Sequence, residues 1–337
     1  MKYTVVFLFP LLIFNCQSSI DKDFKIKISS SDKIISNGDN IKIIIESKSG
    51  QVIDSAAYYI NEKEVSSETT LKDLKLGVNS AKVKIYSNGI EHSLARTFDV
   101  YSNKKPDIMT YEIIREYNHD QNAYTQGLEF YGNSLYESTG LNGKSSLRKV
   151  DLNNGVILKV LNLEYEYFAE GLTILNDRIF QLTWRNKIGF IYDLDFNKIG
   201  SFNYVKSVEG WGLTNDGKYI YKSDGTSKIW RLDPDTLEEI DFIDVMTDKS
   251  RIRNINELEF IDGKIYANTY QQNRDVIIII NPQNGAVESV VDFTGIRNRV
   301  QNLPETDVMN GIAELNGRLF VTGKNWDKLF EVKIYNK

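Results

Sequence analysis

The sequence predicts an all-β protein: a five-bladed β-propeller preceded by a small immunoglobulin-like β-sandwich domain. Two observations carry that expectation. Apolar residues alternate with period two and not 3.6, as in strands with one wet face. From about residue 106 onward a segment of roughly 45 residues recurs five times, the length of a four-stranded propeller blade.

The chain opens with Met1-Lys2-Tyr3, one positive charge, followed by the apolar run Val5 to Phe14. That run is too short for a permanent transmembrane helix and has the form of a signal peptide. The only cysteine of the chain follows directly, in Phe14-Asn15-Cys16-Gln17. The pattern resembles a bacterial lipoprotein signal, in which residues 1–15 are removed and Cys16 is lipidated. The expectation is an exported lipoprotein, membrane-anchored through Cys16, in the periplasm or outer membrane of a bacterium. The alternative is an ordinary secretory signal with an incidental cysteine.

Residues 16–105 read as a tether and the sandwich. Phe24–Ile28 and Ala81–Ile85 alternate apolar with Lys, Ile41–Ile45 and Ala56–Ile60 lie between them, and Ser36-Asn37-Gly38-Asp39 supplies a turn. No residue set here suggests chemistry, so the domain is read as a spacer or docking module. The polar stretch Tyr101–Lys105 ends at Pro106 and marks the boundary.

Residues 106–337 form the repeats. Gln126-Gly127-Leu128, Glu170-Gly171-Leu172, Trp211-Gly212-Leu213, Asn256-Glu257-Leu258 and Asn310-Gly311-Ile312 align. A turn and a second apolar strand follow each, and a second strand pair follows the first four. The fifth repeat stops one strand short, while Tyr111–Tyr117 is left over before the first. That strand is expected to complete the fifth blade and close the ring without an open edge. The longer segment Gly295 to Met309, before repeat five, is expected to cap one end of the channel.

The repeat places the first residues of the aligned segments, Gln126, Glu170, Trp211, Asn256 and Asn310, at one height around the axis. The hairpin returns Gly140, Trp184, Gly225, Tyr270 and Lys324 to the same mouth. One carboxylate, several amides, two Trp, a Tyr and a Lys make a small-ligand pocket with an aromatic wall. The plain structural alternative is that the amides satisfy loop backbone and the tryptophans fill gaps between blades. Composition narrows the chemistry further. With two His and one Cys there is no His/Cys metal cage, and a net charge of −5 without a basic stretch argues against nucleic acid.

Several motifs resemble those of the plant-type glutaminyl-peptide cyclotransferases, the glutaminyl cyclases of plants and bacteria. They are Tyr124-Thr125-Gln126-Gly127-Leu128, Glu170-Gly171-Leu172-Thr173, Leu182-Thr183-Trp184, Gly210-Trp211-Gly212-Leu213-Thr214, Asn256-Glu257-Leu258-Glu259 and Val321-Thr322-Gly323-Lys324-Asn325-Trp326. The resemblance spans about residues 108 to 337. It implies a five-bladed propeller enzyme that converts an N-terminal Gln of peptides or proteins to pyroglutamate and releases ammonia. It implies Glu170 as general acid/base, with Lys324 and Asn256 also catalytic. Tyr124, Thr125, Gln126, Trp184, Trp211, Tyr270 and Trp326 would bind substrate. Tyr124 stands where the family often has Phe, and Tyr270 where Trp is common, which bears on substrate preference. No cofactor or catalytic metal is implied, a structural calcium in the channel is left open, and a monomer is expected. Two other classes remain at this point: a non-catalytic ligand-binding propeller lipoprotein, and a calcium-assisted hydrolase using Glu170, Asn256 and Asn310 as oxygen ligands.

Overall fold

Residues 22–48 and 50–337 are described in a computed structural model of the chain. The leader and Cys16 lie outside the described residues. Among the described residues every regular element is a strand apart from one 3₁₀ turn, Ile296–Arg299. Two units divide the chain: one holds the residues up to Ser31 with Asn40–Thr70 and Asn79–Phe98, the other Asp32–Asp39, Leu71–Val78 and Asp99–Lys337.

The first unit is built on two antiparallel sheets. Phe24–Ser30, Asn40–Ser47 and Glu68–Thr70 form one, and Lys63–Val65, Ser55–Ile60, Gly77–Ser87 and Ile90–Val100 the other. Alternation produces the core directly. Phe24, Ile26, Ile41, Ile43, Ala81, Val83 and Ile85 are buried, while Lys25, Lys27 and Lys42 between them face water.

The second unit carries five four-stranded blades. Their first strands are Thr125–Tyr131, Ala169–Leu175, Leu213–Asn215, Ile255–Ile261 and Met309–Leu315. Each is followed by three antiparallel neighbours in sequence order in the first four blades. The five first strands touch one another in a closed ring, blade 5 against blade 1 included. Apolar clusters fill the space between successive blades. Leu172, Ile174, Ile179 and Phe190 of blade 2 meet Tyr136 and Leu147 of blade 1, and Ala313, Phe320 and Leu329 of blade 5 meet Leu128, Leu135 and Val150 of blade 1. Burying each such side chain contributes about 1.5–3 kcal/mol, and in a ring every blade gains on both flanks.

Closure follows the expected route, with one addition. Asp107–Asn118 pairs antiparallel with the last strand, Lys328–Asn336, and becomes the outer strand of blade 5. It also pairs in parallel with blade 4, Asp107 to Met109 lying against Ser289 to Val291. Blades 4 and 5 therefore share one eight-stranded sheet. The recurring Gly of the repeat has a steric cause. A Cβ on Gly212 would lie 2.0 Å from the Asn256 carbonyl oxygen, and one on Gly171 2.6 Å from Leu213 N and the Trp211 carbonyl. Only a hydrogen fits where neighbouring inner strands converge on the axis. Blade 4 carries Glu257 instead, and its carboxylate accepts the backbone N–H groups of Leu128 in blade 1 and Ile312 in blade 5.

Candidate active site

Four of the five first strands are bulged where the aligned residues reach the mouth, while in blade 3 Trp211-Gly212 precedes a regularly paired strand. In blade 2, Ala169 pairs with Thr183 and Leu172 with Gln181, so Glu170-Gly171 spans a register shift. The same shift occurs at Asn256-Glu257, at Asn310-Gly311 and at Gln126. A bulge releases a residue from the alternation of the strand and re-aims its side chain. Glu170, Gln126 and Asn256 are thereby turned into the channel end.

They line a cavity of about 260 Å³ with Tyr124, Phe168, Trp184, Trp211, Tyr270 and Lys324. Its rim is a circuit of rings. Tyr124 meets Phe168 edge-on at 6.2 Å, Phe168 lies 5.5 Å from Trp184, and Trp211 meets Tyr270 edge-on at 6.2 Å. Two charged groups close the remaining gaps. Lys324 Nζ sits 4.8 Å from the Tyr124 ring and 5.0 Å from that of Tyr270. Glu209 accepts hydrogen bonds from the indole N–H groups of both Trp184 and Trp211. Two glycines on the hairpin returns make room for the circuit: a Cβ on Gly140 would strike Phe168, and one on Gly225 would strike Trp211.

Three of these groups escaped the sequence reading. Phe168 and Glu209 lie two residues before Glu170 and Trp211, where Tyr124 precedes Gln126. Extending the repeat alignment two residues upstream would have placed them. Asp307 accepts the Tyr124 hydroxyl at 3.0 Å and comes from the long segment before blade 5. That segment buries Ile296 and Val300 among the apolar residues of blades 4 and 5, and Arg297 grips Asp275 with paired hydrogen bonds. None of its residues lines the cavity. It supports the wall from behind.

Two residues expected at the substrate stand elsewhere. Trp326 is fully buried in the blade 5 core, packed on Gly323 and edge-on to Phe330, with Nε1 donating to the Asp307 carbonyl. Thr125 points the other way from Gln126, as strand alternation requires, and donates to Glu137. Glu137 also bonds His119, which the ring alignment likewise leaves outside the mouth. Asn310 reaches the channel and donates to the Thr125 carbonyl and to Gln126 Oε1, orienting that amide.

The electrostatics set one acid against one base. Burial pushes the Glu170 carboxyl well above the usual carboxylate range; Lys324 opposes that shift and Glu209 adds to it. Burial lowers Lys324 to about 8, with Glu170 and Asp307 pulling it back up. Glu170 is the one acid lining the cavity. Glu129, Glu257 and Glu259, also buried and pushed up by burial, accept backbone N–H groups of other blades and do not line it. Among the described residues no group of three or more His, Cys, Asp or Glu is arranged to hold a metal ion. The Asn256 Oδ1 atom is buried without a hydrogen-bond partner in the protein.

The family model for glutamine cyclotransferase matches residues 86–334. The chain belongs to the glutamine cyclotransferase family. Within it, the chain is 41% identical over 229 residues to a glutaminyl-peptide cyclotransferase of Arabidopsis thaliana, covering 66% of this chain and 71% of that protein. The crystal structure of Myxococcus xanthus glutaminyl cyclase superposes with a TM-score of 0.64 at 33% identity, covering 69% of this chain and all of the other. Membership supports the cyclotransferase activity and does not favour a non-catalytic propeller or a calcium-assisted hydrolase.

Proposed function

We propose that this cyclotransferase converts an N-terminal glutamine of peptides or proteins to pyroglutamate with release of ammonia, and that Glu170 moves the proton. The observation that carries the reading is a single buried carboxylate, with a raised pKa, facing a slot walled by aromatic rings and one buried lysine. The reaction needs no enzyme nucleophile. The substrate α-amine attacks its own γ-carboxamide carbon, forming the ring C–N bond, and the carboxamide C–N bond then breaks. What the protein must supply is the curled conformer and a proton relay.

The rings of Phe168, Trp184, Trp211 and Tyr270 hold the flexible side chain folded back toward its amine. Glu170 as carboxylate takes the proton that the attacking amine loses and returns it to the departing nitrogen, which leaves as ammonia. The Lys324 ammonium faces the same cavity and stabilises the negative charge that develops on the carboxamide oxygen. Asn256 Oδ1, an acceptor buried without a partner, takes an N–H of the substrate. Gln126, held by Asn310, presents a fixed amide beside it.

The test is ammonia release from a panel of peptides, with and without chelator. A peptide beginning with Gln is expected to yield ammonia and lose its free amine, and the same peptide N-acetylated to yield none. Ammonia from the acetylated peptide would replace this reading with a simple amidase. Turnover is expected to survive chelator. The cavity offers one carboxylate, whereas a calcium ion takes about 6–8 oxygens, and chelator-abolished activity would restore the hydrolase alternative. We further propose export and anchoring through lipidated Cys16, supported by the apolar run that precedes it. Palmitate labelling is expected in the full chain and absent from Cys16→Ser; equal labelling of both would overturn the anchor.

A further inference from the structure

Glu209 lies behind the cavity wall, two residues before Trp211. One carboxylate oxygen accepts Trp184 Nε1 at 2.5 Å and Trp211 Nε1 at 2.8 Å. The other lies 3.5 Å from Arg185 Nε, and the Arg185 guanidinium covers the Trp184 ring at 3.8 Å. An indole has one donor, so this is the one polar handle by which each ring can be held. Trp184 belongs to blade 2 and Trp211 to the start of blade 3, and Glu209 is the acceptor they share.

The segment that presents Glu209 is irregular, yet it is pinned. Lys222 Nζ, fully buried, donates to the Glu209 carbonyl at 3.1 Å and lies 3.2 Å from Glu239. The Glu239 carboxylate in turn accepts the backbone N–H groups of Lys206 and Ser207. Backbone and carboxylate are thus fixed from opposite sides, which a solvated surface glutamate does not require.

Resting on the cyclotransferase reading of the cavity, we propose that Glu209 is a positioning residue that locks the two indoles at the angle that walls the glutamine slot and stations a negative charge behind them. It touches the walls and not the substrate. Its charge also bears on the proton relay. The charged groups acting on Glu170 are Lys324 and Glu209, and Glu170 in turn raises the phenols of Tyr124 and Tyr204 that face it. Lys324 favours the ionised carboxylate and Glu209 disfavours it. Neutralising Glu209 therefore eases ionisation of Glu170, and the acidic limb of kcat/KM moves to lower pH.

Two variants separate the clamp from the charge. Glu209→Gln keeps an oxygen that both indoles can reach and removes the charge. KM is expected within about twofold of the parent, with the acidic limb shifted down. Glu209→Met removes acceptor and charge at similar length. KM is expected to rise about tenfold, the near-UV circular dichroism of the tryptophans to change, and the limb to shift as in Glu209→Gln. Unchanged KM and near-UV spectrum in Glu209→Met would overturn the clamp, and an unmoved acidic limb in both variants would overturn the charge effect. If Glu209→Met does not fold, the limb of the near-isosteric Glu209→Gln still decides. If the parent protein releases no ammonia, the cyclotransferase reading fails on its own, while the near-UV comparison still tests the clamp.

Discussion

Glu170 and Lys324 are opposite charges buried in one aromatic collar, and their titrations bound the pH range of activity. Glu170 must be ionised to accept the amine proton, and its carboxyl is held above the ordinary range by burial. The rate is therefore expected to fall on acidification earlier than an exposed glutamate would dictate. Lys324, lowered to about 8, loses its charge on the alkaline side. The substrate α-amine, with an ordinary pKa of about 7.7–8.0, loses its proton in the same region and works in the opposite direction by becoming nucleophilic. Lys324→Met separates the two. Its rate is expected to drop about 10²–10³-fold at neutral pH but to keep rising above pH 8, where the parent flattens or declines. Glu170→Gln is expected to lose about 10²–10⁴ in kcat at an unchanged melting temperature. Parent-like turnover in Glu170→Gln would remove it from the mechanism.

At the scale of the strand, function depends on a defect in the ladder. Perfect alternation would send Glu170 and Leu172 to the same face; the bulge at Glu170-Gly171 separates the polar residue from the apolar one that follows. The glycine at this position of the repeat lets the next blade approach. Gly212→Ala places a Cβ against the Asn256 carbonyl, which is backbone and has no rotamer to yield. A loss of at least about 1–3 kcal/mol in urea unfolding is expected, with activity falling as Asn256 shifts. Gly200→Ala is the control. Its Cβ would lie 3.4 Å from Ile191 Cδ1, an ordinary contact, and stability should stay within about 0.5 kcal/mol. Equal stability of the two variants would mean that the inner strands are not held at this spacing.

For the whole propeller, stability depends on closing the ring with strands from distant parts of the chain. Asp107–Asn118 joins the blade begun by Met309–Leu315 and holds on to blade 4 as well. Ending the chain at Asp327 removes its main partner together with buried Leu329, Phe330 and Val332. Calorimetry is expected to show loss of the single cooperative transition of the propeller and not a small shift in its midpoint, because the clusters on both sides of blade 5 lose residues at once. An unaltered transition would show that the outer strand is dispensable.

Much of this architecture was legible in order along the chain. Strand periodicity is local, and repeat spacing counts blades without any knowledge of contacts, so the leftover strand had to take the place missing from the fifth blade. The first-position residues of the repeat located the mouth and its one acid. Side-chain direction was another matter. Trp326 sits two residues after Lys324, yet it turns into the core because Gly323 leaves it room and the Asp307 carbonyl takes its N–H. Asp307 enters the site from an irregular segment whose course is set by neighbouring blades, and no period in the sequence marks it, whereas Glu209 stands at a repeat position two residues before Trp211. The sequence by itself determined the number of blades, the closure and the carboxylate. The tertiary structure alone decided that Phe168 joins the aromatic wall and Trp326 leaves it, and which charged groups hold the rings, because those choices depend on atoms brought together across the gaps between blades.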